Sequence, residues 1–296
     1  MVMMVALVGE QPLPNFFPVH HFHPEEVLLV CTEKTRYYYR HLQHILQEHT
    51  KIHGLEVHPY RIPEIVTELQ TKLKELAWIS SPSLIFNLTG GTKPMLVASY
   101  QIAQVLSTPV IYLQSEGKQT RIYTYIWENQ QLRIQNEEVV PDCITLREVF
   151  DLHYGPGKWS AESPKKDDGG NFERAVAEIL QKQEYEVMTN VKAADKQVEI
   201  DIAVRSGNQY GIIEAKLGKE GKSMKAIRQL TLAWRSLGTY ARKFHVITVN
   251  PTEQHNMITE MLDIKTISLR SYDKTTRMLS PSDLTLLLES VENALR

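Results

Sequence analysis

Short apolar runs alternate with helical patterns in the first half of the chain. The apolar runs are residues 4–8, 27–31, 84–88 and 110–113. Continuous runs of this length are typical of strands that are covered on both faces of a parallel sheet. Between and after them, apolar residues recur at helical spacing over 38–49, 62–78 and 94–106. This alternation of strand and helix predicts a Rossmann-like α/β domain.

A segment of different composition separates this half from the next. Residues 155–170 contain four glycines, two prolines and six charged residues, a composition typical of linkers. Beyond it, the pattern predicts helices at 171–183 and 224–237, strands at 198–204, 210–217, 244–249 and 264–269, and a last helix capped by Ser280. We therefore expect a first domain over 1–135, a connecting segment over 136–169 and a second α/β domain over 170–296.

Composition narrows the class of protein. The chain has 296 residues, of which 42% are hydrophobic and 23% charged, and this balance excludes a disordered chain. Its 33 basic and 35 acidic residues exclude a uniformly basic coat. Two cysteines, Cys31 and Cys143, favour a reducing compartment, which we expect to be the cytoplasm. The apolar opening ends after eight residues and predicts a strand, not a signal peptide or a membrane span.

Two predicted strands of the second half carry carboxylates in their middle. Strand alternation puts Glu199 and Asp201 on one face of the first of them, and Glu214 and Lys216 on one face of the next. Paired as a hairpin, these strands would bring Asp201, Glu214 and Lys216 together. Two carboxylates and the backbone carbonyl of Ala215 would form a hard oxygen site suited to Mg²⁺ or Mn²⁺.

An ordinary cross-strand ion pair is the alternative interpretation of these residues. Apolar neighbours argue against it, because they predict that the carboxylates lie in buried strands. The segment 205–243 also holds nine basic residues against two acidic ones, as expected beside a phosphate backbone. A metal ion there would polarise the phosphoryl group and activate water, while Lys216 could orient the nucleophile.

The second half resembles the PD-(D/E)xK nucleases, with Asp201, twelve intervening residues and then Glu214-Ala215-Lys216. The resemblance implies a restriction-endonuclease-like fold and metal-dependent phosphodiester hydrolysis. It also implies catalytic roles for Glu173 and Gln229, although a helix-dipole carboxylate and an exposed helix amide would look similar. The proline of the family name is absent because Ile200 precedes Asp201, and Glu199 is a rival metal ligand.

A glycine turn follows the third apolar run. Residues 89–94 read Thr-Gly-Gly-Thr-Lys-Pro and run into a predicted helix. In doubly wound sheets ligands bind at the carboxyl ends of strands, where glycines admit the ligand and backbone N–H groups hold anions. A capped strand-to-helix turn is the alternative. The polar loops after the first two strands, which contain Glu10 and Thr32, should reach the same sheet edge. The Gly-x-Gly-x-x-Gly and Walker patterns are missing.

The turn, read as Asn87 to Lys93, resembles the CARF domain, the CRISPR-associated Rossmann fold. With the second half, the chain resembles the CARF nucleases of type III CRISPR antiviral defence. The resemblance implies a homodimer that binds a cyclic oligoadenylate, usually cyclic tetra-adenylate, and is thereby activated to cleave RNA or DNA. The activator-binding residues that it implies are Glu10, Gln11, Thr32, Lys34, Thr89, Gly90, Gly91, Thr92 and Lys93.

Two other functions remain open from the sequence. One is a repair or restriction endonuclease that no cyclic nucleotide controls. The other is a nucleotide-sensing regulator with an inactive nuclease domain, although no helix-turn-helix pattern is visible and the carboxylates are intact. The histidine cluster at 20–23 predicts a polar loop, because it has no spaced metal-binding partners.

Overall fold

The computed structural model describes residues 2–116, 119–193 and 198–295, and the chain forms two compact units, Met1–Cys143 and Ile144–Arg296. Both units are mixed α/β structures, which confirms the predicted fold class. The segment 136–169, expected to connect two domains, contains the end of one strand, a helix, a short strand and the start of another helix. In the described residues no helix has the length and apolar composition needed to cross a membrane.

The first unit is built on a seven-stranded sheet in the order β3-β2-β1-β4-β5-β6-β7. Its elements are β1 (Met3–Leu7), α1 (Leu13–Phe22), β2 (Glu26–Cys31), α2 (Arg36–Leu46), β3 (Lys51–Glu56), α3 (Ile62–Glu75), β4 (Leu84–Asn87), α4 (Lys93–Leu106), β5 (Val110–Glu116), β6 (Gln119–Glu128) and β7 (Gln131–Val139). Strands β1 to β5 run parallel, and β6 and β7 add antiparallel to one edge.

Helices cover the parallel strands, and the predicted apolar runs are buried except at Ile85, which is half-buried, and Tyr112, which is exposed. On one face, α3 and α4 pack on Val5, Leu28 and Phe86, which are fully buried. Helix α1 packs against β1, and helix α2 packs against β2 and β3. Because the strands are parallel, the carboxyl ends of β1, β2, β3 and β4 meet at one edge. The loops at this edge contain the predicted ligand residues.

The histidine cluster at 20–23 is not a polar loop, which corrects the expectation. His20 and His21 close helix α1, and His23 caps it with a positive φ of 45°. The helix forms because its residues Leu13 to Val19 are all buried in the first unit. Tertiary packing therefore outweighs the weak local signal of a segment with Pro14 and Pro18.

The second unit has a six-stranded sheet in the order β13-β12-β11-β10-β9-β8. Its elements are α5 (Leu146–Tyr154), β8 (Trp159–Ala161), α6 (Asp168–Gln181), β9 (Glu186–Ala193), β10 (Val198–Ser206), β11 (Gln209–Lys216), α7 (Met224–Leu237), β12 (Arg242–Ile247), α8 (Glu253–Met261), β13 (Lys265–Ser268) and α9 (Pro281–Leu295). Strands β8 to β11 are antiparallel, whereas β11 to β13 are parallel.

Two helix layers cover this sheet. Apolar residues of α6 and α9 pack on Ile202, Ile213 and Val246 of one face. On the other face, α7 packs against β10 and β11, and the hydroxyl of buried Tyr210 donates a hydrogen bond of 3.2 Å to the Leu237 carbonyl. The sheet is thus covered on both sides, and Asp201 of β10 and Glu214 of β11 are buried.

Candidate functional site

A polar cavity of about 610 Å³ opens in the second unit, where β10 and β11 end their pairing. The antiparallel register pairs Ile202 with Ile213, which places Asp201 and Glu214 one step beyond the last bridged pair. Beyond this point β11 remains paired with β12. The divergence of the two strands leaves the Ala215 N–H without a strand partner, and it donates a hydrogen bond of 3.0 Å to Asp201 Oδ2.

Asp201, Glu214 and Lys216 form one ionic cluster of two buried carboxyl groups and a half-buried lysine, with the side chains on the faces that strand alternation predicts. Lys216 Nζ lies 2.5 Å from Asp201 Oδ2 and 3.0 Å from Glu214 Oε1. The Glu214 side chain is only 3% exposed. Its Oε1 atom receives no well-directed hydrogen bond from the described residues, so its contact with Lys216 is an ion pair. A buried acceptor in this state retains capacity for a further partner.

Burial and mutual repulsion shift the acid-base properties of the cluster. Burial and the Asp201 carboxylate raise the pKa of Glu214 to about 8, although Lys216 opposes this. Burial disfavours the charged form of Lys216, but Asp201 and Glu214 outweigh it and raise the lysine pKa. The cluster therefore holds a firmly protonated lysine beside a carboxyl group that resists ionisation.

The other predicted catalytic residues line the cavity together with Asp201 and Lys216, whereas Glu214 lies behind its wall and is not a lining residue. Glu173, on the first turns of α6, is half-buried, and burial together with Asp201 raises its pKa to about 7. Gln229 of α7 is half-buried and also faces the cavity. Glu199, the rival ligand, lies on the cavity wall but is exposed, whereas Asp201 is buried and contacts both Ala215 and Lys216.

Several cavity residues were not predicted from the sequence. Exposed lysines ring its mouth: Lys165, Lys225 and Lys274. Of these, Lys274 forms an ion pair of 2.8 Å with Asp168. The basic segment of the sequence signalled Lys225, but no local pattern pointed to Asn190, a 7% exposed residue of β9 on the cavity wall.

The turn 89–93 of the first unit packs closely against β1. A Cβ atom on Gly90 would lie 2.0 Å from the Leu7 carbonyl oxygen, and Gly91 has a φ of +73°. Behind the turn, buried Asn87 donates a hydrogen bond of 2.8 Å to the Pro14 carbonyl and accepts one of 2.7 Å from the Thr89 hydroxyl. The turn is therefore held in one position by backbone packing and by a buried amide.

The threonines predicted as ligands have structural hydrogen bonds. Thr89 Oγ1 accepts a bond of 2.8 Å from Leu113 N, and Thr92 Oγ1 donates one of 2.8 Å to the Pro59 carbonyl. Thr92 and Thr32 also cap the helical segments that follow them. Their placement fits the capped-turn interpretation as well as the ligand interpretation. Lys93, the first residue of α4, is exposed at this edge.

The loops after β1 and β2 meet, as expected. Glu10 and Lys34 form an exposed ion pair between them. The Gln11 side-chain oxygen is buried and has no hydrogen-bond partner among the described residues. The loop after β3 adds Tyr60, which the sequence did not single out. Tyr60 is 72% exposed, and the carbonyl of its neighbour Pro59 accepts the hydrogen bond from Thr92.

Comparison with protein families gives both halves of the chain a class. The model of the Card1 CARF domain matches residues 3–148, and the model of the Mrr_cat restriction endonuclease domain matches residues 165–274. The chain thus carries a Card1-type CARF domain followed by a restriction-endonuclease domain. A comparison with curated protein sequences finds no match.

Solved structures share this two-domain fold at low sequence identity. Can2 from Sulfobacillus thermosulfidooxidans, in complex with cyclic tetra-adenylate, is 16% identical, has a TM-score of 0.75, and the match covers 99% of each chain. Protein VC1899 from Vibrio cholerae is 13% identical, has a TM-score of 0.71, and the match covers 99% of this chain and 98% of that one. A type III CRISPR defence DNA nuclease activated by cyclic oligoadenylate is 15% identical, with a TM-score of 0.63 over 97% of this chain and 51% of that one.

Proposed function

We propose that this protein is a metal-dependent nuclease of type III CRISPR defence that a cyclic oligoadenylate activates. We assign sensing to the first unit and cleavage of RNA or DNA to the second. The observation that carries the proposal is the buried cluster of Asp201, Glu214 and Lys216 in the restriction-endonuclease domain of a chain whose other domain is CARF. The Can2 complex and the CRISPR nuclease favour this pairing of a sensor with a nuclease.

The cluster fits a divalent cation by the chemistry of its donors. Asp201 and Ala215 line the cavity, and Glu214, which contacts the cavity residue Lys216, supplies the second carboxylate. In the described residues no three His, Cys, Asp or Glu side chains converge on one metal position, and we assign the third protein ligand to the backbone carbonyl of Ala215. Mg²⁺ and Mn²⁺ prefer such hard oxygen ligands and keep several positions for water and phosphate. When bound, the ion polarises the phosphoryl group and lowers the pKa of water.

The protein's own residues supply charge and a proton-exchanging group, and they hold the substrate. Lys216, fixed between two carboxylates, provides a positive charge next to the phosphate, where negative charge develops in the transition state. Glu173, with a pKa of about 7, is suited to exchange protons near neutral pH. Gln229 and the rim lysine Lys225 lie where they can contact the substrate backbone.

The activator binds, in this proposal, at the carboxyl edge of the first sheet. Backbone N–H groups of Gly90 and Gly91 and the amino end of α4 hold phosphate, and Lys93 adds a charge. The exposed ring of Tyr60 offers a stacking surface for adenine beside this turn. A homodimer could present this edge twice to a cyclic tetra-adenylate, whose repeated faces suit a twofold axis.

A cleavage assay tests the proposal. Purified protein is incubated with labelled single-stranded RNA and DNA, with and without cyclic tetra-adenylate and Mn²⁺. We expect cutting only when both are present, and Glu214→Ala should abolish it while activator binding is kept. Cutting without the activator would support an ungated endonuclease, and no cutting in any condition would support an inactive regulator.

A further inference from the structure

Asn190 has an unusual backbone conformation in the wall of the nuclease cavity. Among the described residues with a side chain and a positive φ, it alone lies inside a strand, with a φ of 45° in the middle of β9. Left-handed conformations are rare for residues other than glycine, and asparagine tolerates them best. Such a conformation persists where the surroundings fix it, and it occurs often at functional sites.

The neighbours of Asn190 impose this conformation. Val191 pairs with Ile200 on one side and with Ala161 on the other. On the preceding residue, Thr189 Oγ1 donates a hydrogen bond of 2.8 Å to the Glu162 carbonyl. The residues before and after Asn190 are therefore held in place by these contacts. The left-handed backbone conformation of Asn190 between them sets the direction of its side chain.

Asn190 lies opposite Asp201. The register of β9 and β10 pairs Ile200 with Val191 and Ile202 with Thr189, and the pair between them, Asp201 and Asn190, is not bridged. Directly opposite residues of antiparallel strands place their side chains close together. Both residues line the cavity that also contains Lys216.

The side-chain amide of Asn190 is available for a ligand. The residue is only 7% exposed, yet its amide makes no hydrogen bond with the described residues. An amide group carries two N–H donors. The amide atoms of Asn190 are not among the fully buried side-chain atoms without a partner, so they are accessible from the cavity that this residue lines. Next to Asp201, whose ionised carboxylate can hold a cation but cannot donate a hydrogen bond, this amide offers a neutral N–H donor for a phosphate oxygen.

We propose that Asn190 is a further catalytic residue, whose amide donates a hydrogen bond to a non-bridging oxygen of the scissile phosphate. The inference rests on the proposed nuclease function. It explains why a strained strand position opposite Asp201 carries an amide. A purely conformational role, in which asparagine only permits the left-handed turn, is the competing account.

The variant Asn190→Gly separates the two accounts, because glycine adopts the same backbone conformation without strain but lacks the amide. We expect its single-turnover cleavage rate at saturating substrate to fall roughly tenfold to a hundredfold, as for a lost hydrogen bond to a charged group. Its thermal unfolding temperature and its Mn²⁺ affinity by calorimetry should match those of the unsubstituted protein. Asn190→Ala should be as slow and also less stable, because alanine resists the positive φ.

Cleavage by Asn190→Gly at the unsubstituted rate would overturn the proposal and leave only the conformational role. A loss of Mn²⁺ affinity in Asn190→Gly would also overturn it, because Asn190 would then shape the cation site. Absence of cleavage by the unsubstituted protein under every condition would overturn the proposed function and this inference with it. Glu214→Gln serves as the inactive reference in each assay.

Discussion

The two candidate sites of this chain organise charge in opposite ways. At the edge of the first unit, the groups suited to bind an anion are backbone N–H groups and exposed side chains, and Glu10 pairs with Lys34 at the surface. In the second unit, buried Glu214 lies against half-buried Lys216, and the pKa of Glu214 rises to about 8. The first site thus depends on backbone shape, and the second depends on charges that burial makes strong.

This difference predicts where single substitutions act. In the first site, exposed side chains should matter less than the glycines that allow the backbone to approach. In the second, one buried carboxylate should change both chemistry and stability. The following predictions test this contrast, from the largest expected effect to the smallest.

Gly90→Ala should have the largest effect on stability. The new Cβ would meet the Leu7 carbonyl at 2.0 Å, and neither backbone segment can yield easily. We expect the opening free energy of β1 and β4, measured by hydrogen exchange on the full chain, to fall by about 3 kcal/mol or more. Activator binding should be lost as well.

Gly54→Ala is the matched control in the same unit. Its Cβ would approach the Tyr39 hydroxyl at 2.6 Å, but this is the end of a side chain that can rotate away. Its cost should be about 1 kcal/mol or less. An equal loss of stability in the two variants would contradict the claim that the turn packs too closely on β1 to accept a side chain at Gly90.

The pH dependence of stability should reflect the protonation of Glu214. Its folded pKa of about 8 lies above its ordinary value of 4.5, so the folded state binds a proton that the unfolded state releases across this range. Stability of the metal-free second unit should therefore fall as pH rises from about 4.5 to about 8. Glu173, with a pKa of about 7, contributes in the same direction.

Glu214→Gln should remove most of this slope. We compare the stability of this variant with that of the unsubstituted protein, both metal-free, at each pH. The difference should favour the variant by about 2–3 kcal/mol more at pH 8 than at pH 5. Hydrogen exchange of the β10 and β11 amides in EDTA measures it. Glu289→Gln, at an exposed position of α9, is the control and should leave the slope as it is. An unchanged slope in Glu214→Gln would contradict a buried, proton-retaining carboxyl.

The smallest effects should come from the exposed lysines of the first site. We expect Lys93→Ala to weaken binding of labelled cyclic tetra-adenylate about tenfold, as for one charged hydrogen bond. Lys34→Ala should weaken it less than about threefold, because Lys34 is 80% exposed and already paired with Glu10. A larger loss of affinity in Lys34→Ala than in Lys93→Ala would show that the phosphate does not bind at the amino end of α4.

Elements with a strong local pattern could be predicted from the sequence, and those without one could not. The buried parallel strands β1, β2 and β4 follow from their continuous apolar runs. Strand β7 was not predicted because it is mostly exposed and polar, so it carries no apolar pattern. Helix α1 was missed because its prolines and histidines suggested a loop.

The sequence alone determined which residues share a face, because side-chain direction in a strand repeats every two residues. This local rule grouped Glu214 with Lys216 and placed Asp201 beside them. Tertiary structure decided the remainder: how deeply Glu214 is buried, where β10 leaves β11, and that Asn190 lies opposite Asp201. These features depend on packing between residues distant in sequence, and burial is the cause of the largest pKa shifts at the site.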